Sequence, residues 1–385
     1  MRPSRAISMQ PFRADDWWRS KASQLMGLVY LFTLCFGISF VRFIPLAIWS
    51  VIVIAGFASF GYLVNDLFDK EKDRHAGKKN FLLGKSRFYQ SALTTASLML
   101  IALPWIYLPI DRVSIVLIAV ELSLFILYSA PASRWKEKGV LGIIIDALYA
   151  HAIPTTLAAY TFYLASPIEL SYAGFFLLFA WQFLCGVRNI LIHQLEDQQA
   201  DISSGTSTYI IAISRLSAVR MIRYSLLSEL IAYSAFFIFL ATYSYWFIAC
   251  VAIALILSYE SIISYRQIQS DDIPPVPIRY FPNNVYEKWL PALFLIFLSS
   301  IESSFLIFLA IHITFFNFIL AKEIASRVYH LLIFIKFKIL IPARNVLSKA
   351  FNYCIYYLML VFGVNLRHEQ ISAIDYFRKR WRAYK

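Results

Sequence analysis

The chain has 385 residues, 59% of them hydrophobic and only 15% charged, against about a quarter charged in ordinary soluble domains, which excludes a water-soluble globular protein. The formal net charge is +13, but the cations gather in the stretches 65–90, 131–139, 193–220 and 265–289, while the connections near 42, 111, 166 and 243 carry almost none. That alternation is the positive-inside pattern of a polytopic membrane protein; it calls for anionic lipid as the partner of the cations and gives no reason to invoke nucleic acid.

Residues 1–21 are basic and contain no apolar core before a cleavage site, so they read as an interfacial segment rather than a secretory signal. Trp17 and Trp18 are expected to anchor the first span at the membrane surface. Apolar runs of about 20 residues, enough to cross a bilayer, follow at 22–41, 44–64, 91–110, 112–130, 140–164, 170–192, 221–242, 245–264 and 290–320. They predict an all-α integral membrane protein with about nine transmembrane helices, because continuous apolar runs rather than alternating ones argue against a barrel. Residues 22–320 read as one transmembrane domain with its N-terminus and basic loops on the cytoplasmic side.

The extension 321–385 mixes lysines into apolar sequence and closes on "YFRKRWRAYK". Its run 351–364 is short for a span, so the extension is either interfacial and amphipathic or makes one further crossing. Cys35, Cys185, Cys250 and Cys354 lie scattered in apolar segments without a CxxC pair; buried thiols are expected there, with neither zinc nor a disulfide framework.

Directly after the second apolar run comes "NDLFDKEKD", residues 65–73. If the helix continues, Asn65, Asp69 and Asp73 recur every four residues and share one face. Carboxylates stacked in this way repel unless a cation joins them. Magnesium is the natural candidate, since it takes hard oxygen ligands and shares them with substrate phosphates. Lys70, Lys72, Arg74, Lys78 and Lys79 stand nearby to neutralise the rest or to hold a phosphate; a solvated charged loop with i,i+4 pairs is the plainer alternative. After the sixth run, "RNILIHQLEDQQADISSGTSTYI" again places two acids, Asp197 and Asp201, four residues apart at the same expected membrane face. Together with the basic loop "YSAPASRWKEKG", residues 128–139, two such sites suit a diphosphate clamped by magnesium.

These motifs carry a resemblance to the UbiA superfamily of intramembrane prenyltransferases. Its first signature, NDxxDxxxD, is met by Asn65, Asp66, Asp69 and Asp73, and its second, DxxxDxxxGxxT, by Asp197, Asp201, Gly205 and Thr208. The loop form YSxPxxRxKxxGxxG is matched by Tyr128, Ser129, Pro131, Arg134, Lys136, Gly139 and Gly142. Where many members follow the first signature with an Arg-Pro pair, this chain has Asn80 and Phe81. The resemblance implies a magnesium-dependent enzyme that binds a prenyl diphosphate and transfers its prenyl group to a small-molecule or lipid acceptor. In that reading Asn65, Asp66, Asp69, Asp73, Asp197 and Asp201 hold the metal, and Lys78, Lys79, Tyr128, Arg134, Lys136 and Arg188 line the substrate mouth.

Ionisable groups inside spans are costly and usually face a cavity. Asp146 and His151, with Tyr149, fall together on the fifth helix, and Arg188, His193 and Gln194 precede the second acidic site. Asp146 or His151 is expected to orient or deprotonate a hydroxyl or enol-type acceptor, and Arg188, His193 and Gln194 to lie near the diphosphate. Glu121, Glu229, Glu260 and Glu302 are expected in helix–helix contacts. Two rivals stay within the superfamily: a phosphoribosyl transferase acting on polyprenyl phosphate, and a terpene cyclase. A transporter is the rival of another class; it predicts polar residues strung through the midplane, whereas here polarity concentrates at one face.

Overall fold

The computed structural model describes residues 17–77, 80–166, 171–203, 205–252 and 281–316. The extension 321–385, residues 265–280 of the irregular loop, and Lys78 and Lys79 lie outside the described residues. Every regular element among those described is helical, as the continuous apolar runs require. The chain divides into two compact units, Met1–Ala310 and Ile311–Lys385. Of the second only residues 311–316 are described; there the His312 ring packs on Phe316 at 4.9 Å.

The first unit begins with a π-helical turn, Trp18–Ala22, that leads into α1, Ser23–Cys35. The long α2, Phe40–Ala76, follows, with 37 residues. At 1.5 Å per residue it runs about 55 Å, well past the roughly 30 Å of a hydrocarbon core, so its last turns carry Asn65 to Asp73 beyond the apolar stretch. Gly77, at φ 63°, ends it in the left-handed conformation that glycine adopts without a Cβ penalty. Next come α3, Arg87–Ala102, with Ser86 accepting from the Tyr89 amide as its N-cap, and α4, Arg112–Ser129, capped by Asp111 through the Ser114 amide.

A single rod is then built from α5, Val140–Ala147, a π-helical turn Leu148–Ala152, and α6, Ile153–Leu164. Pro154 lacks the amide that would bond back into this turn, which accounts for the local widening. After it, α7, Tyr172–Ser203, is followed by the short α8, Tyr209–Ala212, and by α9, Arg215–Ala241. The unit closes with α10, Phe281–Asn284, a π-helical turn Val285–Trp289, α11, Leu290–Ile301, and α12, Leu306–Phe315, which crosses into the second unit.

Five of the described helical rods are long and apolar enough to cross a membrane: Phe40–His75, Arg112–Ser129, Val140–Leu164, Tyr172–Gln199 and Arg215–Ala241. Isoleucines and valines such as Ile115, Val116 and Val120 on α4 are exposed, as expected of a face turned to lipid. The remaining expected spans differ. The 22–41 run is broken between Cys35 and Phe40, where α2 begins, and the 91–110 run gives way to a tight 3₁₀ turn at Leu103–Ile106. The 245–264 run is described only to residue 252. The 290–320 run is broken at Glu302, where the backbone is extended at φ −140°, ψ 110°. Serines on both sides compete for backbone hydrogen bonds there, and the Glu302 carboxylate accepts instead from the Phe40 amide at 3.1 Å, at the start of α2.

Tight helix contacts depend on small residues. A Cβ on Gly56 would stand 2.8 Å from the Ile101 backbone nitrogen, and one on Gly186 2.7 Å from the Ala147 Cα. Between α7 and α9, Leu191, Ile192, Ile222 and Leu226 form a buried seam, and Trp181 sits among Tyr233, Phe236, Phe237 and Tyr286 with ring centroids 5.1–5.7 Å away. Trp17 is 3% exposed and stacks edge-on against Trp18. It is packed within the protein rather than placed at the lipid surface as the sequence suggested. Cys185 and Cys250 are buried, whereas Cys35 is half-buried.

Candidate active site

The helices of the first unit enclose a cavity of about 860 Å³, large enough for a substantial ligand. Its acidic end is supplied by α2 and α7. Because α2 stays helical through the first acidic stretch, Asn65, Asp69 and Asp73 do share a face, and all three line the cavity with Asp66. Because α7 extends to Ser203, Asp197 and Asp201 reach the same cavity from the opposite wall. Asp66, Asp69 and Asp201 are buried, whereas Asp197 is exposed and lies 3.6 Å from His193 Nε2.

The loop after α4 brings cations onto these acids. Pro131 keeps Ala130 extended and ends the helix. Arg134 sits in the left-handed region at φ 42°, a strained choice for a residue with a side chain. The Arg134 guanidinium bridges Asp69 Oδ1 at 3.0 Å and Glu137 Oε1 at 2.7 Å. Lys136 pairs with Asp69 and donates to Asn65 Oδ1 at 3.2 Å, an oxygen that also accepts from Ser129. Lys72 reaches Glu137 at 2.7 Å. Burial pulls the Lys136 ammonium below the ordinary lysine range, with the Asp69 charge opposing that shift. Burial alone would raise the Glu137 carboxyl; hydrogen bonds from Lys72 and Arg134 instead hold it below its usual value.

Asn80, one of the two residues that depart from the family pattern, folds the loop back onto α2. Its Nδ2 donates to the Asp73 carboxylate at 2.8 Å and to the Asp66 carbonyl at 2.7 Å, while the Phe81 amide donates to Asp66 Oδ2 at 3.1 Å.

The cavity is also lined by Tyr128, Asp146, Tyr149, His151 and Gln194. Tyr149 donates its hydroxyl to Asp146 Oδ2 at 2.6 Å. Asn189 donates to His151 Nε2 at 3.3 Å, which requires Nε2 to be the unprotonated ring nitrogen. Gln194 Oε1 takes the Ile210 amide at 3.4 Å and so ties α8 to α7.

Arg188 is placed differently from the sequence expectation. It is fully buried and does not line the cavity. Its guanidinium is committed to Glu229 on α9, with Nη2–Oε1 at 3.0 Å, and to Asn189 Oδ1 at 3.0 Å. An arginine at the centre of a helix pair needs a full complement of acceptors, which Glu229, Asn189 and Asn283 supply together, Glu229 as the expected helix–helix contact. Arg188 Nη2 donates to Asn283 Oδ1 at 2.6 Å, so it bears on the site through two residues that line the cavity, Asn283 and Asn189, the latter holding His151. Lys21 was missed: it lines the cavity and lies 5.8 Å over the Tyr62 ring, and in sequence it reads only as one more cation of an arginine-rich N-terminal stretch. Glu121 and Trp105 also line the cavity, and for them only the contacts of the folded chain carry a signal.

All metal candidates offer oxygen donors, the set that suits magnesium. No three His, Cys, Asp or Glu residues are gathered closely enough to hold an ion among the described residues, and the Asp69 carboxylate is paired with Arg134 and Lys136. The donor chemistry fits a magnesium ion, with the loop cations in competition for the same carboxylate.

The sequence pattern of the UbiA prenyltransferase family matches residues 26–276. The chain belongs to this family. Structures of UbiA homologues share its helical fold. One from Archaeoglobus fulgidus, bound to GPP and Mg2+, is 16% identical, with a TM-score of 0.51 over 74% of this chain and 99% of that one. The same homologue bound to DMAPP and Mg2+ aligns over 75% and 99% at the same identity and TM-score. The apo structure of a UbiA homologue from Aeropyrum pernix K1 is 14% identical, with a TM-score of 0.52 over 71% and 94%. No curated protein matches the sequence. The UbiA match begins within α1, takes in both acidic motifs and the basic loop, and stops before the extension 321–385.

Proposed function

We propose that this UbiA family member transfers a prenyl group from a prenyl diphosphate to an acceptor within the membrane, in a magnesium-dependent reaction. One observation carries the reading: both acidic motifs and Lys136 line a single cavity that Phe57, Tyr62, Phe125, Tyr128 and Tyr149 also line. The solved homologues bound to GPP, DMAPP and Mg2+ support it. Asn65, Asp66, Asp69, Asp73, Asp197 and Asp201 would hold magnesium, which supplies Lewis-acid stabilisation of the leaving diphosphate. The site and the N-terminus face the cytoplasm, on the strength of the loop cations.

The chain's own residues account for the rest. Lys136, which lines the cavity, brings positive charge to the departing diphosphate, and Arg134, which does not line it, adds to that field from its pairing with Asp69. The Thr208 hydroxyl lines the cavity without a hydrogen-bond partner and offers the diphosphate a donor. The allylic cation left behind meets the faces of Phe57, Tyr62, Phe125, Tyr128 and Tyr149, which line the cavity and attract positive charge through their quadrupoles. The acceptor approaches from the side of Asp146 and His151. Tyr149 orients the Asp146 carboxylate to take a hydroxyl proton as the new bond forms, whereas His151, whose basic Nε2 is taken by Asn189, has only its Nδ1 N–H to offer the acceptor.

The test is magnesium-dependent pyrophosphate release by the purified protein, offered prenyl diphosphates of several lengths with and without membrane extract as the source of acceptor. Release that requires the extract, and that is abolished by Asp69→Asn and by Asp197→Asn in protein that still folds, supports prenyl transfer. Release without extract points to cyclisation or hydrolysis. Turnover only with phosphoribosyl diphosphate and a polyprenyl phosphate would make the prenyl chain the acceptor. Full activity in both variants would sink the two-motif site.

A further inference from the structure

Glu121 lies on the cavity face of α4, in one helical stripe with Phe125, Tyr128 and Ser129. It is 1% exposed, and its Oε2 has no hydrogen-bond partner. Other acids within the described helices are satisfied: Glu229 by Arg188 and Asp146 by Tyr149. Among the described residues Glu121 is the one buried carboxylate with an orphaned oxygen. A second orphan of opposite character belongs to the same cavity: the indole Nε1 of Trp105, a donor that finds no acceptor. Buried polar atoms without partners are costly in an apolar setting, and those of a native structure need a reason. A ligand that both donates and accepts would satisfy the two together.

The position says which part of a ligand this is. Ser129, at the end of α4, donates to Asn65 at the acidic mouth. Glu121 stands more than two turns earlier on the same helix, about 12 Å deeper at 1.5 Å per residue, where the surroundings are Phe57, Phe125 and Leu157. We propose that Glu121 and Trp105 form a hydroxyl-recognising subsite at the deep end of the cavity, for an isoprenoid-like ligand that carries a hydroxyl far from its charged or reacting end. Trp105 donates to the hydroxyl oxygen, and Glu121 accepts a hydrogen bond from the hydroxyl O–H. A hydroxyl of this kind has two possible sources, the distal end of the prenyl donor or a lipid acceptor; the first rests on the donor reading above and the second does not.

The experiment has one arm for each source, with binding followed by intrinsic tryptophan fluorescence in lipid nanodiscs. The first compares geranyl diphosphate with its terminally hydroxylated analogue in the presence of magnesium. The second compares geranylgeraniol carrying an added hydroxyl at its far terminus with geranylgeraniol itself, without diphosphate or metal. The expected result is at least tenfold tighter binding of the hydroxylated ligand in one arm, with the preference erased by Glu121→Leu and retained by Glu121→Gln. A preference in the first arm identifies the donor as the source, and one confined to the second identifies the acceptor. Equal binding of both ligands in each arm overturns the subsite while leaving the donor reading intact. If neither diphosphate binds, the donor reading fails and the second arm alone decides the subsite. Weakening of every ligand alike by Glu121→Leu would assign the residue a structural role and overturn the proposal.

Discussion

Asn80 donates from Nδ2 to the Asp73 carboxylate at 2.8 Å, and the same nitrogen reaches the Asp66 carbonyl at 2.7 Å. Asn80, which stands where the resemblance leads one to expect an arginine, therefore orients the first acidic motif instead of adding charge to it. Supporting contacts of this kind commonly change metal affinity or activity ten- to a hundredfold. Asn80→Ala is expected to raise the magnesium concentration needed for half-maximal turnover by about that factor, with little loss of thermal stability. A titration of pyrophosphate release against magnesium checks it; an unchanged midpoint would mean that Asp73 needs no such support.

The Arg188–Glu229 pair offers a stability test that is separate from chemistry. Removing one member leaves the other charged and buried, at a cost of roughly 3–5 kcal/mol. Glu229→Ala should accordingly lower the unfolding temperature in detergent sharply. The double variant Arg188→Met, Glu229→Leu should recover much of the loss, since no isolated charge remains. If the double variant is no more stable than the single one, the pair does more than neutralise itself.

Glu137 predicts a pH dependence. Its carboxyl is held below the usual range by Lys72 and Arg134. Its contribution to stability is therefore fully present above the ordinary glutamate pKa and is lost as pH falls through the lowered value in the fold. Thermal unfolding of the wild type and Glu137→Gln across the acid range should show a gap at neutral pH that closes on acidification. A gap that stays constant with pH would show that the bridge contributes nothing through its charge.

Gly186 sets how closely α7 approaches α5. A methyl group there would stand 2.7 Å from the Ala147 Cα, a backbone atom that cannot swing aside. Gly186→Ala should destabilise the fold by roughly 1–3 kcal/mol, in the range of overpacking. It should also shift the helix that bears Asp146 and Tyr149, and so lower turnover along with stability. Unfolding and pyrophosphate release measured on the same preparation check both; normal values for both would mean that the helices separate freely.

Spacing alone carried much of the site. Asn65, Asp69 and Asp73 fall on one face because a helix repeats every 3.6 residues, and that followed once α2 continued past its apolar run. The all-α membrane fold was legible for a similar reason: long unbroken apolar runs can satisfy their backbone in lipid only as helices. Breaks within the runs were less visible. Glu302 interrupts the last one because it caps α2 from a distant part of the chain, a contact that no local pattern contains.

What the sequence determined by itself was local and periodic: helix content and the two acidic faces. Tertiary structure decided which of several polar residues in apolar helices serves which end. Arg188 and Glu229 neutralise each other across α7 and α9, Asn189 holds His151, and Glu121 is left facing the cavity with an unpartnered oxygen. In sequence these are equivalent interruptions of hydrocarbon. Only the packing of distant helices fixes which charge finds a counter-charge, because the cost of burying each one depends on what lies within a few ångströms of it.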